Sequence, residues 1–138
     1  IYSANRYQSY DLGFVNYEDV KKVAKVLELL NFQKEGKYFS NPECEFIIEF
    51  VAPPVSVGDE PIHKFEYHET PLGAIKMLTP TDSVKDRLAS FYHWDDNQAL
   101  DQPLAIYKEQ DINLREIKRW SEKEGYSQKF DFFLKRVP

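Results

Sequence analysis

The chain has 138 residues, of which 42% are apolar and 30% charged, and its formal net charge is −5. This length predicts one domain with a substantial core, and the acidic balance argues against a protein that coats nucleic acids. No window approaches the roughly 20 apolar residues of a membrane span, and the first residues do not form a signal segment. The single cysteine, Cys44, excludes an intrachain disulfide and a cysteine-based zinc site, and it favours a reducing, cytoplasmic location.

The first predicted elements are a strand and an amphipathic helix. A β-rich run from Tyr7 ends near Asn16, which has the residue type of a helix N-cap, with Asp19 at the third helical position. Apolar residues then recur at i, i+3, i+4 and i+7, the spacing of a core-facing helical stripe. They are Val20, Val23, Ala24, Leu27 and Leu30.

A hairpin and several short strands follow. Residues 37–39 predict a strand, and the turn at Asn41-Pro42 leads into a second strand, Cys44–Val51, so that the two form a hairpin. Pro53-Pro54 ends this strand. Further short β-like pieces are predicted at 55–58, 62–69 and 74–78.

The remainder of the chain predicts helices. Thr79-Pro80-Thr81-Asp82 combines a capping hydroxyl, a proline at the first helical position and a carboxylate at the third. Val84, Leu88 and Phe91 form the apolar face of this helix. Three more helices are predicted: one ending near Glu109 and kinked or interrupted at Pro103, one over Leu114–Glu124 capped by Asn113, and one from Ser127 to about Lys135.

The pattern predicts an α+β fold with a small mixed sheet, flanking helices and a C-terminal helical segment. We expect residues 1–78 to form the sheet half with one amphipathic helix. Residues 79–138 would pack on it as the helical segment of one compact unit.

Two carboxylates are candidate metal ligands. Asp11 closes a β-like run and Glu49 lies inside another, so that two strands of one sheet would bring them together. Converging carboxylates are what a Mg²⁺-dependent phosphoryl-transfer site requires. Glu49 alternates with Ile48 and Phe50, so it leaves the face that buries those two residues. The alternative is structural: Asp11 ends a strand and Glu49 faces solvent on an edge.

Basic residues form a second candidate group. Lys85 and Arg87 lie one turn into the helix that begins at Thr79-Pro80, where cationic groups can hold a triphosphate. The alternatives are a surface pair between Asp82 and Lys85 and a pairing of Arg87 with a nearby acid such as Asp86 or Glu49. Residues 115–138 carry seven basic side chains against four acidic ones. Such an excess of positive charge could contact a phosphate backbone, but it more often belongs to a solvated helix face.

Four segments resemble one known family, the nucleotidyltransferases of the abortive-infection toxin type (the AbiEii group). They are RYQSYDL at 6–12, IIEF at 47–50, LTPTDSVKDRLA at 78–89 and WDDNQALDQ at 94–102. The resemblance implies the fold of DNA polymerase beta-like nucleotidyltransferases and transfer of a nucleotidyl group from an NTP to an acceptor hydroxyl, RNA among the acceptors. It also implies an antitoxin-like protein partner.

The resemblance also implies roles for individual residues. Asp11 and Glu49 would be the catalytic and metal-binding carboxylates for Mg²⁺, and Ser9, Lys85 and Arg87 would bind the triphosphate. The family has an Asp-x-Asp pair on its first catalytic strand, whereas this chain has Asp11-Leu12-Gly13. One metal ligand is therefore missing.

Three interpretations stay open at this point. The chain is a nucleotidyltransferase, or it is a catalytically dead member that acts as a binding or regulatory module through protein contacts. In the second case the aromatic segment Trp120–Phe133 would be the interaction surface. The third is an unrelated α+β structural domain.

Overall fold

The fold is described by a computed structural model, which covers residues 1–95 and 97–138. It has an α+β architecture with a four-stranded mixed sheet, small hairpins and a helical C-terminal half, as the sequence predicts. Asp96, which belongs to the run quoted for the resemblance, lies outside the described residues. No helix in the described part of the chain is both long and apolar enough to cross a membrane.

The described chain divides into two compact units. Residues 8–55 form the first, and residues 1–7 together with 56–138 form the second, so the division falls at 55–56 whereas the sequence analysis placed it at 78–79. The described strands after residue 55 pair only in short hairpins, and two of them, at 56–57 and 73–78, contact the helix that begins at Pro80. We call the two units the sheet unit and the helical unit.

The elements of the sheet unit are β1 Asp11–Val15, α1 Val20–Leu29, β2 Gln33–Glu35, β3 Tyr38–Asn41 and β4 Cys44–Val51. Its strands have the order β1-β4-β3-β2. β1 runs parallel to β4, while β3 is antiparallel to both β4 and β2. The predicted strand Cys44–Val51 and its hairpin with the preceding strand are confirmed, and β2 is a strand that was not predicted.

The predicted N-cap of α1 is wrong. Asp19 is the N-cap, and its carboxylate accepts a hydrogen bond from the amide of Lys21 at 2.9 Å. Asn16 instead accepts from the amide of Glu18 at 3.1 Å, which makes a local turn before the helix. Both residues are good caps by type, and the turn at Asn16 delays the helix by three residues.

One face of the sheet carries most of its apolar side chains. Phe39 is only 1% exposed and packs edge-on against Phe50, which in turn stacks with Phe14. Alternation along each strand sends the neighbouring residues to the opposite face. The opposite face therefore takes Asp11, Gly13, Tyr38 and Glu49, in agreement with the expected orientation of Glu49 away from Ile48 and Phe50.

The helical unit begins with two hairpins and continues with the helices. Its elements are β5 Ser56–Val57, β6 Glu60–Pro61, β7 Phe65–Thr70, β8 Gly73–Leu78, α2 Pro80–Trp94, a 3₁₀ helix Asn97–Leu100, α3 Asp101–Glu109, α4 Leu114–Lys123 and α5 Ser127–Leu134. The start of α2 is confirmed, because Thr79 is the N-cap and its hydroxyl accepts from the amide of Asp82 at 3.1 Å. Asn113 caps α4 as predicted, through the amide of Glu116.

Pro103 does not interrupt the helix in which it lies. It is the third residue of α3, within the first turn, where backbone amides have no intrahelical partner to lose. The break expected at Pro103 lies upstream instead, where the 3₁₀ helix Asn97–Leu100 precedes α3.

The core of the helical unit is built largely from aromatic and aliphatic side chains of α2, α4 and α5. The predicted apolar face of α2 is buried, since Val84 and Leu88 are 0% exposed and Phe91 is 4% exposed. Trp120 is also buried, and its indole nitrogen donates to the carbonyl of Val57 at 3.1 Å. The hairpin β5–β6 is thereby attached to α4.

The expected aromatic interaction surface between Trp120 and Phe133 is mostly wrong. Trp120, Phe130 and Phe133 belong to the core, at 1%, 2% and 0% exposure, and only Phe132 is substantially exposed, at 39%. Helical periodicity turns Phe130 and Phe133 inward together and leaves Phe132 on the flank.

Candidate functional site

The register of β1 and β4 brings the two candidate carboxylates to one face of the sheet. Asp11 is opposite Ile47, and Gly13 is opposite Glu49, in a parallel ladder. Residues two apart on a strand share a face, and so do directly opposite residues. Asp11 and Glu49 are therefore diagonal neighbours on adjacent strands, and their roles as catalytic and metal-binding carboxylates stay predictions.

Gly13 lies next to both carboxylates on the same face of the sheet. It is directly opposite Glu49 and two residues along β1 from Asp11. A Cβ atom added at Gly13 would meet no atom within 4 Å, and its backbone is not in the left-handed region. A side chain at position 13 would thus point into open space beside Glu49.

Glu49 already has a cationic partner. The ammonium of Lys37 lies 2.9 Å from a carboxylate oxygen of Glu49 and 4.9 Å from the centre of the Tyr38 ring. The hydrogen bond to Glu49, followed by that to Tyr38, raises the pKa of Lys37 above its usual range. Sequence reasoning missed Lys37 because it depends on β2: the Gly36-Lys37 loop joins β2 to β3, next to β4.

Ser9 is engaged with the backbone of Asp11. Its hydroxyl accepts a hydrogen bond from the Asp11 amide at 3.1 Å and lies 3.3 Å from the Asp11 carbonyl oxygen. This local turn fixes the chain at the start of β1. Its role as a triphosphate contact stays a prediction.

Lys85 and Arg87 belong to the helical unit. The side chain of Lys85 is 3% exposed, and its ammonium lies 2.8 Å from Glu116, 3.2 Å from Asp82 and 3.6 Å from Glu60. The Asp82–Lys85 pair raised as an alternative is present, but it is buried rather than on the surface. A triphosphate role for Lys85 stays a prediction. A triphosphate would have to compete with three carboxylates for the Lys85 ammonium.

Arg87 also pairs within its own helix. Its guanidinium donates to the carboxylate of Asp86, one of the two acids offered as alternatives to a phosphate, and Nη1 lies 3.5 Å from the amide oxygen of Gln102. The side chain is 42% exposed. The phosphate role of Arg87 stays a prediction as well.

Arg119 completes the ion cluster around Lys85. It contacts Glu60 and Glu116 at 2.6 Å each. Hydrogen bonds from Arg119 and then from Lys85 lower the pKa of Glu116 to about 2, although its partial burial opposes the shift. For Lys85, burial alone would lower the pKa, but hydrogen bonds to Glu116 and Asp82 outweigh burial and raise it.

The described residues offer no ready-made cluster of metal ligands, and a Mg²⁺ site stays a prediction. Residues 1–95 and 97–138 contain no group of three or more His, Cys, Asp or Glu side chains arranged to hold a metal. Mg²⁺ prefers near-octahedral oxygen coordination, usually with one or two protein carboxylates and substrate phosphates. Here one of the two carboxylates, Glu49, is bonded to an ammonium.

Comparisons of this chain with models of protein families, with curated proteins and with solved structures found no match. The family resemblance thus rests on the four sequence segments quoted for it. It stays a hypothesis.

Proposed function

We propose that this chain is a nucleotidyltransferase-like domain that lacks one primary metal ligand and acts as a binding or regulatory module rather than as an efficient transferase. The observation that carries the proposal is the position of Gly13 directly opposite Glu49, on the face that also carries Asp11. In the family that the sequence resembles, a carboxylate would occupy this position. Its loss removes a ligand from the place where a metal would be coordinated.

The exposed apolar side chains of the sheet unit support a role in protein contacts. Leu12 and Phe14 alternate with the candidate site on β1 and lie on the face of Phe39, yet they are 39% and 44% exposed. Neighbouring exposed apolar groups on one face mark contact surfaces more often than scattered ones do. An antitoxin-like protein is the partner that the resemblance suggests.

The alternative function is an active nucleotidyltransferase that uses Mg²⁺ and an NTP, with an RNA or another hydroxyl as acceptor. The shared face of Asp11 and Glu49 favours it. In that case Asp11 and Glu49 would be catalytic, and Ser9, Lys85 and Arg87 would bind the triphosphate. Metal-dependent transfer depends on positioning and on neutralising the triphosphate charge, so a missing ligand is expected to reduce the rate strongly.

The test is nucleotidyl transfer by the wild type and by Gly13→Asp. We expect no Mg²⁺-dependent incorporation of any labelled NTP by the wild type, and tighter Mg²⁺ and NTP binding by Gly13→Asp in calorimetry, because the added carboxylate enters open space beside Glu49. Tyr17→Asp is the matched control, since it adds the same charge at a residue 78% exposed and outside the sheet.

Turnover by the wild type would show that the missing ligand is dispensable, and the module interpretation would be wrong. If Gly13→Asp binds Mg²⁺ no better than Tyr17→Asp does, even when Lys37 is also replaced by methionine, the face is not a degraded metal site. The resemblance to nucleotidyltransferases would then lose its structural support.

A further inference from the structure

The ion pair between Lys37 and Glu49 decides what the carboxylate face can bind. Glu49 is only 31% exposed, whereas Lys37 is 65% exposed and reaches it from the Gly36-Lys37 loop. An ammonium and a divalent cation compete for the same carboxylate oxygens and repel each other at short range. Neutralising the carboxylate by an internal cation removes the charge that would attract a metal.

The ion pair between Lys37 and Glu49 lies beside a row of residues that crosses the sheet. Glu35, Tyr38, Glu49 and Gly13 are consecutive partners across β2, β3, β4 and β1, so they lie in one line on one face. Lys37 follows β2 and stands at the side of this line, with its ammonium on Glu49 and near the Tyr38 ring. Lys37 thus places a positive charge on Glu49, the residue directly opposite Gly13, where no side chain is present.

We propose that the ammonium of Lys37 serves as the counter-ion of Glu49 in place of a divalent cation. Two changes therefore separate this face from a metal site: the missing carboxylate at Gly13 and the lysine at position 37. The inference rests on the proposed function and adds to it a residue that opposes the binding of a divalent cation at this face. Restoring the ligand at Gly13 alone gives a site that Lys37 still opposes.

The test is Mn²⁺ binding, followed by the electron paramagnetic resonance signal of free Mn²⁺ and by calorimetry. Four proteins are compared: the wild type, Gly13→Asp, Gly13→Asp combined with Lys37→Met, and Gly13→Asp combined with Lys34→Met. Lys34 is the matched control because it is opposite Phe39 and lies on the other face of the same sheet. Methionine keeps most of the length of the lysine side chain and removes the charged ammonium.

We expect the combination of Gly13→Asp with Lys37→Met to bind Mn²⁺ about tenfold more tightly than Gly13→Asp alone, since a unit charge close to a dication is removed. The Lys34 combination should stay within about twofold of Gly13→Asp, because screening weakens charges that act through the sheet and solvent. Circular dichroism and thermal unfolding verify that each variant is folded. If Gly13→Asp does not fold, Gly13→Asn supplies a neutral oxygen ligand for the same comparison.

Equal Mn²⁺ affinity with and without Lys37 would overturn the proposal, as would an equal gain from Lys34→Met. Absence of Mn²⁺ binding by Gly13→Asp combined with Lys37→Met would also overturn the proposal. In that variant both proposed barriers to metal binding have been removed, so Lys37 could not be what prevents it. None of these results depends on turnover. Failure of the proposed function would instead appear as nucleotidyl transfer by the wild type.

Discussion

Lys85 carries a positive charge into the helical unit, where its side chain is almost fully buried. A buried charge is tolerated only when it is paired and hydrogen-bonded, and here Glu116, Asp82 and Glu60 surround it. Arg119 bridges two of these carboxylates. The cluster joins β6, α2 and α4, so its carboxylates must remain ionised for the three elements to keep these contacts.

This cluster makes stability sensitive to acid. The pKa of Glu116 is lowered from 4.5 to about 2 in the folded chain, and that of Glu60 is lowered mainly by its hydrogen bond with Arg119. Between the folded and unfolded pKa values of Glu116, the unfolded chain binds more protons than the folded chain does. The stabilisation by Glu116 is therefore present above about pH 4.5 and is lost as the pH falls towards 2. After allowance for solvent screening, we expect Glu116 to account for about 1 kcal/mol of this loss.

The measurement is the free energy of unfolding in urea at several pH values for the wild type and Glu116→Gln. The variant should be less stable at pH 7 and should lose less stability between pH 5 and pH 2. Glu122→Gln is the control on the same helix, because Glu122 is 53% exposed and lies 3.8 Å from Lys118. A pH dependence of Glu116→Gln equal to that of the wild type would contradict the role of the cluster.

Among the secondary-structure elements, α2 has the most complete start. Thr79 accepts from the amide of Asp82, its hydroxyl donates to the Asp82 carboxylate at 2.9 Å, and Pro80 occupies the first helical position. The helix presents Val84, Leu88 and Phe91 to the core, so its first turn sets where these side chains lie. The cap therefore contributes to the stability of the helical unit by holding α2 in the position that buries these side chains.

Removal of the capping hydroxyl should therefore destabilise the protein measurably. We expect Thr79→Ala to lower the free energy of unfolding by about 1 kcal/mol, whereas Thr79→Ser should retain most of it because serine caps equally well. Urea unfolding followed by circular dichroism measures both variants. Equal losses for alanine and serine would point to packing of the Thr79 methyl group rather than to the cap.

At the scale of the molecule, buried apolar side chains are distributed unequally between the two units. In the described chain, Phe39 is the one core hydrophobic residue of the sheet unit, and the others belong to the helical unit. Burial of apolar surface is the main favourable term in folding. The helical unit therefore holds most of the stabilising core.

This distribution predicts unequal protection from hydrogen exchange. We expect the backbone amides of β3 and β4 to exchange faster than those of α2 and α4 under native conditions, because regions with few buried contacts open at lower free energy. Mass spectrometry of exchanged peptides measures this difference. Equal protection of the two sets of amides would show that the sheet unit opens only together with the helical unit.

Local sequence signals predicted a large part of the secondary structure. The start of α2, the strand Cys44–Val51 and the cap of α4 follow from residues within a few positions of one another. The cap of α1 was misplaced because Asn16 and Asp19 are both suitable caps by type. A local signal is decisive where one candidate exists and ambiguous where two compete.

The candidate site depended on contacts distant in sequence. Asp11 and Glu49 were found from the sequence, and their common face follows from a parallel register that no local pattern specifies. The pairing of Lys85 with Asp82 was among the expectations, but the ion pairs of Glu49 with Lys37 and of Lys85 with Glu116 could not be foreseen, since they join separate segments of the fold. Sequence by itself determined the starts of α2 and α4 and the strand faces, because capping and alternation act within one turn or one strand. Only the tertiary structure decided that Gly13 is opposite Glu49 and that Lys37 forms an ion pair with that carboxylate, because strand pairing and charge pairing join residues far apart in the chain.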